Sequence, residues 1–250
     1  MSKQIGTIAT LNLKNIRTPY FVTGIVTASM FIQTVVYAIV MANGGTASQI
    51  SPSFGTYFWL LVIMAAISIP ITHFKKTANL GGKRDGFFWG SLGSYAMLAG
   101  LVSLATATVH YTVDRALIST GNFASTEEFL QDFTFIEGHY VIFDLLALFG
   151  WAARGPLFVV IQQFAFLLLL AVAVHTFTAI QDKWYGWVTD AVIAAILATF
   201  IPIPVLRPAL VWFFEMILFH SNAAVQIAVC LALSMVIYAL NKPIFARKVL

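Results

Sequence analysis

The chain has 250 residues, of which 60% are hydrophobic and only 10% are charged, and its mean hydropathy is +0.87. This composition excludes an ordinary soluble domain, in which about half of the residues are apolar and about a quarter are charged. Six membrane spans of about 20 residues each would use roughly 120 positions, which leaves no room for a large aqueous domain. The 14 basic residues are dispersed, so the net charge of +4 does not indicate nucleic-acid binding. Because Cys230 is the single cysteine, an intrachain disulfide and a CxxC metal site are also excluded.

The first 19 residues mix basic and apolar side chains at a loosely helical spacing. This pattern predicts an amphipathic helix that lies along the cytoplasmic membrane surface, with a disordered tail as the alternative. Residues 20–42 carry no charge and predict the first span. After a turn at Asn43-Gly44-Gly45, residues 54–74 predict a second span with a kink at Pro70.

The connection after the second span is basic, and the third predicted span, residues 86–111, follows it. Because positive charge is retained on the cytoplasmic side, we assign this connection to the inside. Residues 112–140 are acidic, with a single basic residue, Arg115, and are assigned to the outside.

Residues 140–178 allow one span or two. Residues 141–153 are too few for a span and include Asp144, so we predict an outer interfacial or re-entrant helix there and a fourth span over 157–178. The remaining predicted elements are a fifth span over 185–206, a second outer re-entrant helix over 209–219 and a sixth span over 223–240. This arrangement gives an even number of spans and places both termini in the cytoplasm.

The expected fold is therefore all-α: a helix over 1–19 followed by one six-span membrane domain over 20–250. The distribution of basic residues supports this orientation. Eleven of the 14 lie inside, namely Lys3, Lys14, Arg17, Lys75, Lys76, Lys83, Arg84, Lys183, Lys242, Arg247 and Lys248. Arg115, Arg154 and Arg207 lie outside.

No enzymatic motif is found. Gly81-Gly82-Lys83 resembles part of a phosphate-binding loop, but Thr77 and Arg84 stand where that loop requires a glycine and a Ser or Thr. The HExxH and GxSxG signatures of hydrolases are absent as well. We expect no catalytic, nucleotide or metal site in this chain.

Histidines at span ends allow a different function. His73 and His175 are predicted near the inner ends of spans, and His110, His139 and His220 near the outer side. Such residues can hold haem between helices, although helix-end histidines commonly lie at the interface without a ligand. A haem- or quinone-binding membrane subunit of an oxidoreductase is therefore the alternative function.

Polar groups inside the predicted spans are few. Only Asp190 lies in a span, one turn from its start, so an ion-coupled carrier is disfavoured. Three amides are candidates to line a substrate path, with hydrogen bonding between helices as the alternative. They are Gln33, Gln162 and Gln163.

The run Asn79-Leu80-Gly81-Gly82-Lys83-Arg84-Asp85-Gly86-Phe87-Phe88-Trp89-Gly90 resembles the segment that opens the third helix in permease subunits of bacterial type-2 class ABC exporters. The run Tyr140-Val141-Ile142-Phe143-Asp144-Leu145-Leu146 resembles the stretch that enters their fourth helix. The predicted layout, with an N-terminal amphipathic helix and six spans, is similar over nearly the whole chain.

This resemblance implies a permease in the bacterial cytoplasmic membrane that pairs with a second permease chain, as a homodimer or a heterodimer. A separate ATP-binding cassette subunit would bind ATP and magnesium and contact the connection between spans two and three, helped by the N-terminal helix. The implied contact residues are Lys75, Lys76, Gly81, Gly82, Lys83, Arg84, Asp85, Phe87 and Phe88, the last two as exposed aromatics. The alternative is a basic connection that only sets the topology.

The implied activity is export. An uncharged path between two permease chains, lined by spans one, two and five, would suit an amphipathic peptide, drug or lipid better than a small ion. An assembly or immunity protein that binds a peptide without ATP-dependent flux is a third possibility.

Overall fold

The computed structural model describes residues 2–45, 49–79, 84–121, 123–132, 140–181 and 184–247. Within these ranges, five helices are long and apolar enough to cross a membrane. They are Arg17–Ala42, Phe54–His73, Arg84–Ser119, Pro156–Ile180 and Ala223–Pro243. Each begins within three residues of the start of a predicted span. The chain is therefore a predominantly helical, polytopic membrane protein.

The fifth predicted span, residues 185–206, is shorter than expected. Helix α10, Trp184–Phe200, has 17 residues, which corresponds to about 25 Å of rise, less than the roughly 30 Å of a bilayer core. Pro202 and Pro204 follow the helix directly, and proline disfavours helix in the residue before it. Whether α10 crosses the membrane as a sixth span stays a prediction.

The first two helices are α1, Ser2–Asn15, and α2, Arg17–Ala42. The second predicted span is made of a 3₁₀ segment, Phe54–Phe58, and α3, Trp59–Ser68. A π-helical turn, Ile69–His73, leads from there into α4, Phe74–Asn79. The π turn contains Pro70, which cannot donate a backbone hydrogen bond. The predicted kink at this proline stays a prediction.

The third long helix extends beyond its predicted end at residue 111. Helix α5, Arg84–Val109, continues through a π-helical turn, His110–Asp114, into α6, Arg115–Ser119. Asp114 and Arg115, which we expected in an outer loop, are therefore helical. The sequence pattern missed this because charged residues at the end of an apolar helix look like the start of a loop.

A small parallel sheet departs from the all-α expectation. Its strands are β1, Gln49–Pro52, β2, Phe123–Ala124, and β3, Tyr140–Phe143, in the order β1-β3-β2. Gln49 is paired with Tyr140 in one ladder, and Phe123 is paired with the same tyrosine in the other. Helix α7, Thr126–Gln131, follows β2 and precedes β3 in the sequence. It begins with a capping box formed by Ser125 and Glu128.

The prediction of a helix over 141–153 is wrong. Its first residues belong to β3, whose Tyr-Val-Ile-Phe sequence has strong β propensity. Only a single turn, α8, Leu145–Leu148, and a 3₁₀ segment, Ala152–Arg154, are helical. Gly150, with a positive φ of 69°, separates the two, a conformation in which glycine is strongly favoured.

The remaining helices are α9, Pro156–Ile180, α11, Arg207–Phe214, and α12, Ala223–Arg247. Helix α11 ends in a π-helical turn, Glu215–Phe219. Residues 209–219 are thus helical as predicted, and their re-entrant placement in a membrane stays a prediction.

Contacts divide the chain into two compact units. One contains Met1–Ile16, Val62–Ala99 and Phe164–Leu250, and the other contains Arg17–Leu61 and Gly100–Gln163. The sheet belongs to the second unit.

Helix α1 is packed closely within the first unit. Its buried residues include Ile8, Ala9 and Asn12, which share one face. Gly90 of α5 makes this approach possible, because a Cβ atom there would lie 2.7 Å from Cγ2 of Ile8. The amphipathic stripe that we interpreted as membrane-facing therefore has a protein partner. A location at the membrane surface stays a prediction.

Candidate functional site

The predicted ATPase-contact residues lie around the connection between α4 and α5. Lys76 is exposed in α4, and Arg84 and Asp85 are exposed at the start of α5. Lys75 also lies in α4. Gly81, Gly82 and Lys83 lie outside the described residues. The described part of the connection thus exposes charge of both signs.

Phe87 and Phe88 do not fit the prediction that they are exposed. Their exposed fractions are 1% and 4%. The Phe87 ring lies edge-on to Phe74, with 5.3 Å between the ring centroids, and the Phe88 ring stacks on Tyr238 at 4.3 Å. The Tyr238 hydroxyl also donates to the Phe88 carbonyl oxygen. The expected exposure is therefore wrong, because both rings fill the interior that joins α5 to α4 and α12.

A polar chain joins α1 to the same region. His73 Nδ1 donates to Asn12 Oδ1 at 3.2 Å, and Asn12 Nδ2 donates to Ser94 Oγ at 3.3 Å. Ser94 in turn donates to the Gly90 carbonyl oxygen at 2.9 Å. These three side chains are buried, and buried polar groups are stabilising only when they are paired in this way. The N-terminal helix is thus fixed to the first turns of α5.

The three predicted path residues differ in exposure. Gln33 is half-buried on α2, whereas Gln162 and Gln163 of α9 are 1% and 0% exposed. With the Gln163 oxygen facing Trp59, the indole Nε1 donates to it at 2.6 Å, and the amide nitrogen donates to the Ser103 carbonyl oxygen at 3.2 Å. Gln163 therefore bonds helices together, which is the alternative we considered. A role for these residues in a substrate path stays a prediction.

Two histidines that were predicted near inner span ends are engaged by side chains of this chain. His73 bonds to Asn12, as described above, and His175 Nδ1 lies 2.6 Å from the Tyr95 hydroxyl oxygen. Of the others, His220 Nδ1 accepts from the backbone nitrogen of Asn222. His139 lies outside the described residues. These bonds give each of these three histidines a partner within the chain.

The second unit contains a polar cluster that sequence reasoning missed. His110, Asp114 and Asp144 each offer one ligand-type atom, and these atoms lie within 4.8 Å of one another. Asp114 and Asp144 are only 3% and 5% exposed. His110 Nδ1 is paired with Asp144 Oδ2. Buried carboxylates at this spacing need compensation, because burial and like charge both disfavour the ionised form.

The local folds explain how the cluster forms. His110 and Asp114 are the first and last residues of the π-helical turn at the end of α5, and π turns occur frequently at functional sites. Asp144 follows β3 and caps α8 by accepting from the Leu146 backbone nitrogen at 3.0 Å.

Neighbouring hydroxyl groups fix two of these residues. Ser53, just after β1, donates to Asp114 Oδ2 at 2.7 Å. The Thr126 hydroxyl oxygen accepts from the Asp144 backbone nitrogen at 2.7 Å and donates to the Ile142 carbonyl oxygen at 3.0 Å. The sheet and α7 thus hold Asp144 in place, while β1 holds Asp114.

The cluster lines a cavity of about 460 Å³. The wall is mixed in character: it includes Arg115, Ser119 and Glu127 together with apolar residues such as Ile118 and Ala147. The Arg115 guanidinium carbon lies 4.5 Å from the centroid of the Tyr111 ring, which is a cation–π distance.

One sequence signal could have indicated this cluster. His110 and Asp114 are four residues apart, a spacing that places two side chains on one face of a helix. Asp144 is 30 residues farther along the chain, and only the β3 fold brings it to the same place. Because residues 112–140 were interpreted as a loop, the spacing was not recognised.

Comparisons of the chain with protein-family models, curated proteins and solved structures give no match.

Proposed function

We propose that this chain is the permease subunit of an ATP-driven exporter in the bacterial cytoplasmic membrane. Both termini would be cytoplasmic, and a second permease chain would complete the path. A separate ATP-binding cassette subunit would supply ATP hydrolysis with magnesium, so this chain itself would not be an enzyme. The cargo would be an amphipathic peptide, drug or lipid.

The observation that carries this proposal is the construction of the connection between α4 and α5. Its outer surface is charged, at Lys76, Arg84 and Asp85, and its inner side is packed with aromatic rings. A connection that only sets topology needs the charges but not this packing. A connection that transmits motion from a partner needs both. A displacement of its surface moves the long helices only if the side chains between them are tightly packed.

The contacts provide such a route. Phe87 rests on Phe74 at the start of α4, and Phe88 is joined to Tyr238 of α12 by ring stacking and by a hydrogen bond. Asn12 and Ser94 join α1 to α5. A rotation of the connection would therefore move α1, α5 and α12 together, since close-packed interiors transmit displacement.

The position of charge in the five long helices also favours ATP as the energy source, because their acidic and basic residues lie towards the helix ends, at Arg17, Arg84, Asp85, Asp114, Arg115 and Lys242. Asp190 in α10 accepts from Gln181 Nε2 at 2.9 Å, which gives it a structural partner. Carriers driven by ion gradients normally use acidic or basic residues near mid-membrane. A permease driven by a separate ATPase subunit does not need such residues.

Co-expression with the ATPase subunit encoded by a neighbouring gene tests the proposal. The two chains are expected to purify together, and the double variant Lys83→Glu, Arg84→Glu should weaken the association because it reverses two charges of the proposed contact. Arg207→Glu, a reversal at an exposed arginine predicted on the opposite side, is the matched control and should leave association unchanged.

One result would overturn the proposal, and another would narrow the contact. If the chain purifies without an ATPase and shows the Soret absorbance of bound haem, the oxidoreductase function is correct instead. If association with the ATPase survives the double variant, Lys83 and Arg84 are not part of the contact.

A further inference from the structure

The cluster in the second unit is not used by the proposed exporter mechanism, and its chemistry indicates a ligand of its own. We infer that His110, Asp114 and Asp144 form a binding site for one divalent transition-metal cation of the Zn²⁺ or Mn²⁺ type. The inference does not depend on the proposed function, because none of these residues lies in the ATPase-contact region.

The charge balance of the cluster is the first support. Both carboxylates are nearly inaccessible to solvent, and the closest ionisable partner is the His110 ring. Among the described residues, no lysine or arginine nitrogen lies within 4 Å of either carboxylate, and Arg115 is directed at Tyr111. Two buried carboxylates thus share one imidazole as their ionisable partner, and a bound cation would supply the compensation that their ionised forms need.

The convergence of three donor atoms is the second support. His110 Nδ1 is paired with Asp144 Oδ2, and one ligand-type atom each of His110, Asp114 and Asp144 lies within 4.8 Å of the other two. A cation bound by all three residues would therefore take Nδ1 of the imidazole, in place of the proton between Nδ1 and Asp144.

The types of donor select the cation. One imidazole nitrogen and two carboxylates suit Zn²⁺ and Mn²⁺, whereas Mg²⁺ and Ca²⁺ prefer oxygen ligands and water. Ser53, which donates to Asp114, would orient that carboxylate as outer partners of metal ligands do. The cavity of about 460 Å³ leaves room for waters to complete the coordination.

A bound cation would connect two structural elements. His110 and Asp114 belong to the end of α5, and Asp144 belongs to the junction of β3 and α8. Binding to the folded state alone raises its stability. The cation is therefore expected to hold the end of this helix against the sheet.

The test uses the full chain, purified in detergent and stripped with a chelator. Titration with Zn²⁺ and with Mn²⁺, followed by calorimetry and by metal analysis after desalting, should give one equivalent per chain. The thermal unfolding midpoint should rise with either ion and stay unchanged with Mg²⁺ or Ca²⁺ at the same concentration. Asp114→Asn and His110→Gln should each weaken binding by more than about 100-fold, the upper range seen when only an outer partner of a ligand is lost.

Two matched variants control for nonspecific binding. Glu127→Gln removes an exposed acid that lines the same cavity, and His220→Gln removes a histidine elsewhere in the chain. Both should bind the cation as the parent does. If they lose binding while Asp114→Asn keeps it, the proposed ligand set is wrong.

A measurement on the parent protein covers the case in which the ligand variants do not fold. Bound Mn²⁺ should show nitrogen coupling from an imidazole in pulsed electron paramagnetic resonance. Absence of stoichiometric Zn²⁺ or Mn²⁺ binding, or bound Mn²⁺ without nitrogen coupling, would overturn the inference.

Discussion

The connection between α4 and α5 and the cluster at the end of α5 both carry charge, but they are stabilised by opposite means. The connection keeps its charges at the surface and is packed by aromatic rings and neutral hydrogen bonds. The cluster buries its charges and surrounds them with hydroxyl groups and one imidazole. This difference supports two separate proposals, an ATPase contact at the connection and a cation site at the cluster.

The largest effect is expected where the connection loses its aromatic packing. Phe87→Ala should lower the free energy of unfolding by about 3 kcal/mol, because it leaves a cavity beside Phe74. Trp89→Ala, two residues along, removes a ring that is 42% exposed and should have a much smaller effect. Denaturant unfolding of both variants in detergent measures the difference. Equal losses would mean that the buried ring does not stabilise the connection.

The next largest effect separates the charge of Asp144 from its capping role. Asp144→Ala removes the cap of α8 and the partner of His110, so stability should fall by about 2 kcal/mol. Asp144→Asn keeps a side-chain acceptor for the Leu146 backbone nitrogen and should lose about half as much. The comparison is made without added metal, by thermal unfolding. Identical losses in the two variants would show that the cap contributes nothing.

A smaller effect tests the close approach of α1. Gly90→Ala places a Cβ atom 2.7 Å from Ile8 and should destabilise the packing by about 1 kcal/mol, with faster proteolysis of α1. Gly93→Ala is the control, since its Cβ would meet only Ala9, at 3.7 Å. Because alanine favours helix over glycine, this variant should be neutral or slightly stabilised. Faster proteolysis in both variants would show that the close approach of α1 does not depend on Gly90.

The helical part of the fold was largely predictable. Long uncharged runs bounded by charged or turn residues identified the five long helices, because a bilayer imposes a minimum apolar length. The strand β3 was not predicted, since four residues rich in β-branched and aromatic side chains also occur in buried helices. Its pairing with β1, about 90 residues earlier, leaves no local pattern.

The candidate sites were predictable to different degrees. The basic connection forms one continuous run that the sequence displays directly. The burial of Phe87 and Phe88 depends on Phe74 and Tyr238, and the position of Asp144 beside His110 depends on the sheet. Such contacts between distant residues are set by tertiary structure and not by periodicity.

Cysteine cross-linking tests the proposed ATPase contact most directly. The native Cys230 is buried, so a cysteine introduced at exposed Lys76 can be labelled selectively with a bifunctional reagent. In membranes that contain both proteins, Lys76→Cys should cross-link to the ATP-binding cassette subunit, and Arg207→Cys should not. A Lys76→Cys chain that forms no such product, or an Arg207→Cys chain that forms as much of it, would contradict the proposed contact.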